Sequence, residues 1–555
     1  MKKYCKKCAV EFEITDDDLE FYDRVSPVFG GKKYIVPPPK LCPDCRQQRR
    51  LVQRNQNKLY KRKCDFSGEE MISLYSADKT FKVYKENIWW SDKWDPLDFG
   101  RDFDFSRPFF EQFAELQADV PRRGMHQDGT NENCEYTTFG MSNKDCYLSF
   151  GVFHCENAYY SHMSGMLKDC FDCLLSVQCE LCYECTDCTN CYGCAFCQDC
   201  TSCQDSFLLQ DCKNCHHCIG CKNLRNKEYH IYNKPVSKEE FEAYKAKLIE
   251  GGFKDEIQKF NKWKLSLPFV YARKNKCENS DGDYLDQAKN CHDCFDIILG
   301  AEDCRYCQFS GWNGKDMYDC TTSGKKTELI YEMMATTETY HCAFNNFCRF
   351  GLNIFYSSML GNCKNCFGCI GLNYKEYCIL NKQYTKEEYE EVVPKIIEHI
   401  MATHEWGEFF PASLSPFSYN ETMAIEVFPL SKEEALKAGF AWKDEEDKSF
   451  AKATFEAPSS INKVDDSVLN EVLACKKCGK NYRIIQQELE LHKKMEVPLP
   501  SHCFECRYWA RLALRNPRKL WDRKCDKCGT AIKTSYSPER PEKVYCEECY
   551  LKEVY

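Results

Sequence analysis

The cysteines in the middle of this chain repeat with a period of three residues. All eighteen cysteines from Cys134 to Cys221 are separated from one another by multiples of three, and no charged residue occurs in their column. A β-strand alternates with a period of two, whereas a solenoid stacks its coils so that one column forms a continuous core. The pattern therefore predicts a β-solenoid with short arms and frequent corners.

A longer repeat is superimposed on this column. Pairs of cysteines nine residues apart recur along it, and an Asp or Asn precedes the first cysteine of each pair. These residues are Asp145, Asp169, Asn190 and Asp211, and the closing cysteines are Cys155, Cys179, Cys200 and Cys221. The closing cysteines are 24, 21 and 21 residues apart, which predicts a repeat of about 21 residues. Asn and Asp tolerate tight corners, so the Asn-Cys and Asp-Cys steps are predicted turns.

A second, less regular array follows the first. Its end, Asn362-Cys-Lys-Asn-Cys, repeats the Asp211-Cys-Lys-Asn-Cys end of the first array. Behind each array stands a capping box, Ser237-Lys-Glu-Glu after the first and Thr385-Lys-Glu-Glu after the second. Solenoids need protected ends, so we expect these two helices to cap the arrays.

Packing is favoured over metal binding as the role of the array cysteines. Reduced cysteine packs as a small hydrophobic residue, whereas a metal site needs a complete set of ligands. Metal storage or sensing by the arrays remains an alternative. The column also contains other residues in place of cysteine, namely Ser149, Val152, Ser176, Ser206 and Leu209.

Paired cysteines at the two ends of the chain have the spacing of zinc ribbons. Each pair has two intervening residues, which lets both sulfurs reach one tetrahedral ion. Without an apolar leader the chain is expected to be cytoplasmic, where thiols stay reduced. We therefore expect about three zinc ions. Their predicted ligands are Cys5, Cys8, Cys42 and Cys45; Cys475, Cys478, Cys503 and Cys506; and Cys525, Cys528, Cys546 and Cys549.

The two ends are copies of one another at an offset of 461 residues. The N-terminal copy retains Cys64, but Ser67, Lys85 and Ile88 stand where the other copy has its remaining three ligands. This pattern predicts a ribbon that has lost its metal. Burial of nearby tryptophans is expected to replace the metal in holding it together, and the candidates are Trp89, Trp90 and Trp94.

A basic segment follows the second cysteine pair of each copy. The residues from Arg46 to Tyr60 lack Gly and Pro and predict a helix with its arginines on one face. Arginine suits phosphate oxygens, so the stripe predicts nucleic-acid binding, with RNA favoured over DNA. The residues concerned are Arg46, Arg50, Arg54, Lys58, Arg62 and Lys63, with Arg507, Arg511, Arg515, Lys519, Arg523 and Lys524 in the other copy.

Other uses of these residues remain open. The stripes could bind a ribonucleoprotein or another protein, or pair internally with acidic residues between Asp92 and Asp104. Aromatic residues beside the arrays could stack on bases or simply cover a narrow core. These are Tyr147, Phe171, Tyr192, Phe207 and Phe367.

The N-terminal module resembles a small bacterial family of probable zinc ribbons. The resemblance rests on Cys5-Lys-Lys-Cys8, Phe12, the acidic run at Asp16–Asp18, Phe21-Tyr22 and Cys42-Pro-Asp-Cys45-Arg46. It implies zinc and no activity. The chain as a whole resembles large cysteine-rich zinc-ribbon proteins of candidate-phylum bacteria, which implies no function either.

The predicted fold is mainly β with short helices, in which terminal zinc ribbons flank two β-solenoid-like cysteine-rich arrays with helical caps. No catalytic motif occurs, so we expect a non-enzymatic zinc protein with no membrane association. The predicted segments are 1–62, zinc ribbon with basic helix; 63–96, metal-free ribbon; 97–129, connector; 130–235, first array; 236–262, capping helix; 263–276, connector; 277–384, second array; 385–402, capping helix; 403–470, connector or small domain; 471–524, zinc ribbon with basic helix; and 525–555, zinc ribbon.

Overall fold

The computed structural model describes residues 1–127, 129–162, 183, 186–444 and 449–555. The chain divides into two compact units. Unit 1 contains Met1–Met125, Ala272–Asp444 and Arg518–Leu520, and unit 2 contains His126–Tyr271, Glu445–Pro517 and Trp521–Tyr555. Each unit therefore combines one cysteine-rich array with a ribbon from one end of the chain.

Unit 1 is built on an eleven-stranded sheet from the second array. Neighbouring strands pair in parallel until the final hairpin, and partners lie twelve residues apart in pairs such as Tyr340 with Leu352. A three-stranded parallel sheet accompanies it, formed by Ala288–Lys289, Ala301–Glu302 and Gly314–Lys315. The large sheet runs in the order Lys274–Asn275, Gly282–Asp286, Cys294–Ile298, Gln308–Gly311, Met317–Thr321, Glu328–Met334, Tyr340–Asn346, Leu352–Phe355, Lys364–Phe367, Glu376–Ile379 and Lys382–Gln383.

The first array, in unit 2, is also a parallel ladder. Isolated bridges join residues twelve apart, from Glu132 with Lys144 to Lys213 with Arg225. A parallel pair of strands, His216–Ile219 and Glu228–Ile231, follows, and Lys234–Pro235 closes it as a hairpin. This twelve-residue offset differs from the expected repeat of 21. It corresponds to four three-residue steps, and these steps count equally whether or not they contain cysteine.

The corners of the array lie at the residue before each column position. Asp145, Asn190 and Asp211 have φ angles of 53°, 51° and 49°. Positive φ angles also occur at three-residue intervals between them, including at residues that are neither Asn nor Asp. The predicted turns at these three positions are therefore confirmed. The expected turn at Asp169, the column residues Ser176 and Cys179, and Phe171 lie outside the described residues.

The column residues fill the interior of each array. Cys188, Cys200 and Cys212 are fully buried, and the thiol of each donates a hydrogen bond to the carbonyl two residues earlier. The hydroxyls of Ser149 and Ser206 donate to the equivalent carbonyls. Cysteine and serine can exchange along the column because they meet the same hydrogen-bonding requirement.

Both predicted capping boxes are present. Ser237 begins the Lys238–Lys247 helix and Thr385 begins the Lys386–Ala402 helix, each with its N3 glutamate bonded back to the cap. Each helix contacts the last parallel strand of its array, through Phe241 against Tyr229 and through Tyr389 against Tyr377. After Lys247, the chain continues through a kink into the Phe253–Trp263 helix.

The remaining elements are short and belong to the ribbons and connectors. No helix among the described residues is both long and apolar enough to cross a membrane. The other helices are Asp16–Val25, Pro43–Leu51, Glu86–Trp89, Phe109–Asp119, Ala424–Val427 and Lys432–Lys437 in unit 1, and Gln486–Lys494, Phe504–Leu512 and Glu547–Val554 in unit 2. The paired strands are Lys2–Tyr4 with Glu11–Glu13, Val28–Phe29 with Lys32–Lys33, Tyr60–Lys63 with Glu70–Ser73, Val83–Tyr84 with Arg122–Arg123, Leu473–Ala474 with Asn481–Tyr482, Trp521–Lys524 with Ala531–Thr534, and Phe269–Val270 with Val544–Tyr545.

Candidate metal centres and buried arginine networks

Three tetrads of cysteine sulfurs have the geometry of metal centres. Within each tetrad the four Sγ atoms lie within 4.8 Å of one another. Sγ–Sγ distances of 3.6 Å for Cys8–Cys42 and 3.7 Å for both Cys478–Cys503 and Cys528–Cys546 approach the edge of a thiolate tetrahedron, about 3.8 Å for Zn–S bonds of about 2.3 Å. The tetrads are Cys5, Cys8, Cys42 and Cys45; Cys475, Cys478, Cys503 and Cys506; and Cys525, Cys528, Cys546 and Cys549. The structure thus brings together each predicted ligand set.

The local backbone favours the thiolate form of these cysteines. Burial alone would raise the pKa of Cys5 and of Cys475, but three backbone N–H groups directed at each sulfur lower both values, that of Cys475 to about 6. In the third tetrad, the N–H of Cys546 donates to the sulfur of Cys525 at 3.3 Å. Thiolate is the form that binds metal, so the backbone around Cys5 and Cys475 favours the ligand form of these two cysteines.

The metal-free ribbon has the same backbone as the third tetrad. Its hairpin strands, Tyr60–Lys63 and Glu70–Ser73, lie 461 residues before the corresponding strands of the other copy. Cys64 also accepts a hydrogen bond from the N–H of Lys85 at 3.3 Å, matching the bond between Cys546 and Cys525. The hairpin is therefore specified by residues other than the missing ligands.

Two of the three tryptophans contribute to the core of this ribbon. Trp89 is buried and Trp94 is partly buried, and their ring centroids are 4.6 Å apart. Trp90, by contrast, is 52% exposed. Apolar burial thus involves Trp89 and Trp94, and the prediction was wrong for Trp90.

A residue with positive φ follows the first cysteine pair of each ribbon. It is glycine at Gly479 and Gly529, with φ of 76° and 78°, but Ala9 has φ of 58° at the same position in the first ribbon. Because this backbone region strains a residue with a Cβ atom, we expect Ala9→Gly to stabilise the first ribbon by about 0.5 to 1 kcal/mol. Competition with a chelator of known affinity should show tighter metal binding, and Gly529→Ala should show the reverse at the third tetrad. Weaker binding in Ala9→Gly would contradict this expectation.

The first arginine stripe is buried in unit 1. Arg46 and Arg50 are 1% and 0% exposed. Arg46 donates to Asp319 at 2.9 Å, while Arg50 donates to both Asp319 and Glu332 at 3.0 Å. The neighbouring Arg49 bonds Glu332 at 2.7 Å. These contacts form a continuous ion-pair network between the Pro43–Leu51 helix and the second array, which we call the unit 1 arginine network.

The acidic partners share one structural position. Asp319 and Glu332 both have positive φ, 54° and 48°, and both occupy corners of the second array. They lie on strands that pair in parallel, so one helix can contact both. Asp187, at a corner of the first array, accepts a hydrogen bond from Arg515 in unit 2 at 2.8 Å. Corner carboxylates therefore receive arginines in each unit.

The second stripe is also largely buried. Arg507, Arg511 and Arg515 are 4%, 2% and 8% exposed. Arg507 donates to Glu488 at 3.1 Å, and the other oxygen of Glu488 accepts the Tyr160 hydroxyl at 3.1 Å. This group of contacts joins the second ribbon to the first array within unit 2.

The predicted nucleic-acid interface is therefore mostly interior. Arg46, Arg50, Arg54, Arg62, Arg507, Arg511 and Arg515 are buried, and Lys58 and Arg523 are partly exposed. The expected exposure of the arginine stripes was wrong. Arg46, Arg50 and Arg515 bond carboxylates that are far away in the sequence. The acidic segment from Asp92 to Asp104 does not supply those carboxylates. The exposed members of the predicted set are Lys63, Lys519 and Lys524.

The basic helix is also shorter than expected. It spans Pro43–Leu51, and its copy spans Phe504–Leu512. The Asn55 side chain bonds the backbone N–H and carbonyl of Lys58, which gives the chain a local alternative to helix. Arg54 and Lys58 consequently lie beyond the helix and do not continue its face.

Two further predictions about the arrays can be compared with the structure. Among the described residues, the three terminal tetrads are the groups of three or more candidate ligands that lie within 4.8 Å of one another, so no such group comes from the described array cysteines. Of the base-stacking candidates, Phe207 and Phe367 are buried, Tyr147 is partly buried, and Tyr192 is 43% exposed. Phe207 and Phe367 therefore cover the core.

Two buried histidines make unit 2 sensitive to acid. Burial lowers the pKa of His162 and of His492 to about 3. In the unfolded chain the pKa of histidine is about 6.5. Between pH 6.5 and pH 3 the unfolded state therefore binds more protons than the folded state. The contribution of these histidines to the free energy of unfolding is present above pH 6.5 and is lost as the pH falls toward 3. His162 stacks on Tyr508 with 3.9 Å between centroids, a contact that phenylalanine can keep.

We expect His162→Phe to reduce this loss. At pH 5 the variant should be more stable relative to wild type than at pH 7.5, by up to about 2 kcal/mol from 1.36 kcal/mol per pH unit. Urea unfolding at the two pH values measures the difference. His154 is exposed, and His154→Phe serves as the control that should show no such change. An unchanged pH dependence in His162→Phe would contradict the assignment.

Comparison with known proteins adds no relative. No protein-family model, curated protein or solved structure matches the chain.

Proposed function

We propose that this is a non-enzymatic zinc protein in which ribbons hold two β-solenoid arrays as a rigid scaffold for a protein partner. The observation that carries the proposal is the burial of both arginine stripes, with Arg50 bonded to Asp319 of the second array and Arg515 bonded to Asp187 of the first. Arginines used in this way join a ribbon to an array and are not available to a polyanion. The ribbons then act as structural parts of each unit.

Zinc is the proposed ion at the three tetrads. Four thiolates at tetrahedral spacing are the ligand set of structural zinc, and they leave no position for a reacting water. A bound zinc ion would neutralise the charge of the thiolates and would link two cysteine pairs that are far apart in the sequence. The residues that would hold the ions are the twelve tetrad cysteines.

A scaffold role for the arrays rests on their hydrogen bonding. Parallel bridges between residues eleven to thirteen apart connect consecutive coils, and column thiols donate to carbonyl oxygens. Burial together with this thiol–carbonyl bonding is typical of cysteine used as a small hydrophobic residue, which favours a packed core over metal storage. Long parallel arrays of this kind present extended surfaces to partners.

Elemental analysis of the reduced, purified protein tests the zinc proposal. We expect about three zinc ions per chain, one for each tetrad. Ten or more soft-metal ions would replace the scaffold proposal with metal storage.

RNA retention at several salt concentrations tests the choice of partner. Reversal of the buried arginines would disturb folding, so the informative variants are Lys63→Glu, Lys519→Glu and Lys524→Glu, which change exposed residues. We expect no RNA retention by wild type. Salt-dependent retention that these variants abolish would overturn the protein-partner proposal in favour of nucleic-acid binding.

A further inference from the structure

The first cysteine of each array differs from the cysteines that follow it. Cys134 and Cys277 are partly exposed, whereas the other described array cysteines are buried. Each lies at the start of its ladder, where no preceding coil covers the thiol. These are consequently the array thiols that a small reagent in solvent can reach.

Cys134 lies beside a second thiol in the next coil. Glu135 pairs in parallel with Tyr147, and its N–H donates to the carbonyl of Cys146 at 3.0 Å. Cys134 and Cys146 directly precede this pair and therefore occupy neighbouring positions of the column in consecutive coils. Adjacent strands are about 4.8 Å apart, within the Cα separation of about 4.4 to 6.8 Å that a disulfide requires. The two residues can therefore be bridged without rearranging the coils.

The environment of Cys134 makes it the more reactive member. Cys134 is partly exposed, whereas Cys146 is buried. The adjacent Cys146 side chain also lowers the pKa of Cys134 to about 7, even though burial and the nearby Asp145 act in the opposite direction. The pKa of Cys146 is raised, first by the adjacent Cys134 side chain and also by burial. Peroxide reaches the exposed sulfur, and thiolate is the nucleophilic form of cysteine, so Cys134 would react first and Cys146 second.

We propose that Cys134 and Cys146 form a peroxide-responsive thiol pair that closes as a disulfide at the start of the first array. The Cys134 thiolate attacks hydrogen peroxide, forming a sulfenic acid and releasing hydroxide, which leaves as water after taking a proton. The Cys146 sulfur then attacks the sulfenic sulfur and displaces a second water. In sum, two thiols and one peroxide yield one disulfide and two waters. This pair is a modification site separate from the metal tetrads.

The second array supplies an internal control. Glu278, which follows Cys277, donates to the carbonyl of Ala288, so the column position one coil beyond Cys277 is Ala288. The Cys277 thiol donates to the carbonyls of Asn275 and Leu285, at 3.4 and 3.3 Å, and the Cys134 thiol donates in the same way to the carbonyl of Glu132 at 3.1 Å. The two sites therefore differ in the neighbour one coil beyond, which is a thiol only for Cys134. Burial raises the pKa of Cys277. If partial exposure alone determined reactivity, Cys277 would react as readily as Cys134. If a neighbouring thiol is required, Cys277 would react less readily than Cys134.

The test is peroxide oxidation of the full-length, zinc-loaded protein. Hydrogen peroxide is added in steps, free thiols are alkylated in denaturant, and peptides are mapped by mass spectrometry. Zinc release is followed in parallel, so that oxidation of the tetrads is recognised. We expect a peptide linked through Cys134 and Cys146 before zinc is released, with Cys277 still alkylated. Equal oxidation of Cys134 and Cys277, or no Cys134–Cys146 link, would overturn the proposal.

Two variants test the order of the steps. Cys146→Ser should leave a sulfenic acid on Cys134 that dimedone traps, with at least a tenfold loss of the linked peptide. Cys134→Ser should leave Cys146 reduced at the same peroxide dose. Serine is compatible with these positions because Ser149 and Ser206 occupy the same column. Dimedone capture at Cys146 in the Cys134→Ser variant, or a disulfide between Cys134 and another cysteine in Cys146→Ser, would contradict the pairing.

Discussion

Cys525→Ser should remove one of the three metal ions and unfold the C-terminal ribbon. A serine hydroxyl does not replace a thiolate ligand, and structural zinc contributes about 10 to 16 kcal/mol to the folding of small zinc domains at neutral pH. The consequences should reach beyond the tetrad within unit 2, because Val544–Tyr545 pairs with Phe269–Val270. The hydroxyl of Tyr550 also donates to Asn223 at 2.9 Å. Loss of the ribbon releases both contacts.

The matched control is the equivalent residue of the metal-free ribbon. Cys64 lies 461 residues before Cys525 and accepts the same backbone hydrogen bond. Cys64→Ser retains a hydrogen-bond acceptor there, so we expect a loss below about 1.5 kcal/mol and no change in metal content.

Elemental zinc and hydrogen exchange of residues 525–555 measure the comparison. We expect zinc to fall from three ions to two and exchange protection to disappear in Cys525→Ser alone. Loss of zinc in Cys64→Ser would show that the ribbon containing Cys64 binds metal after all. Full protection of residues 525–555 in Cys525→Ser would show that the metal does not hold this ribbon.

The parts of the molecule that the sequence predicted are those set by neighbouring residues. Cys5-x-x-Cys8 and similar pairs contain their own geometry, because two intervening residues bring both sulfurs to one ion. The capping boxes at Ser237 and Thr385 are equally local. The corners before the column residues follow from the three-residue period. The tetrads, the capping boxes and the corners at Asp145, Asn190 and Asp211 were found in the structure at the residues expected.

The features that the sequence did not predict depend on distant residues. Arg46 bonds Asp319, which lies 273 residues away, and nothing near either residue indicates the other. In the sequence, Asp319-Cys320 resembles any other corner step of the arrays. Nothing in it indicates that Asp319 accepts hydrogen bonds from arginines. The coil length was missed for a different reason. Cysteine spacing emphasised 21, whereas serine, valine and leucine positions count equally in a coil of twelve residues.

Asp319→Asn should strongly destabilise unit 1. Asp319 is fully buried and its two carboxylate oxygens accept hydrogen bonds from Arg46 and Arg50. The amide keeps the shape of the side chain but removes one negative charge, which leaves the arginines short of compensation inside the protein. Removal of one partner from a buried ion pair costs about 3 to 5 kcal/mol. Glu332 remains in place, so we expect the lower end of this range.

Hydrogen exchange in the Pro43–Leu51 helix and denaturant unfolding measure the loss. Zinc content should not change, because Asp319 belongs to no tetrad. The control is Glu391→Gln, which breaks an exposed pair with Lys395 and should cost less than about 1 kcal/mol. If Asp319→Asn costs no more than this control, the arginine network does not hold the first ribbon on the second array.

A double-mutant cycle identifies the source of the loss. Arg50→Gln removes one of the charges that Asp319→Asn leaves uncompensated, so the double variant should be more stable than the sum of the two single losses predicts. We expect a coupling free energy of about 1 to 3 kcal/mol, as found for residues in one buried network. Additive losses would instead mean that each residue acts through packing. Coupling of this size would identify the burial of paired charges as the reason why these arginines are sequestered from solvent.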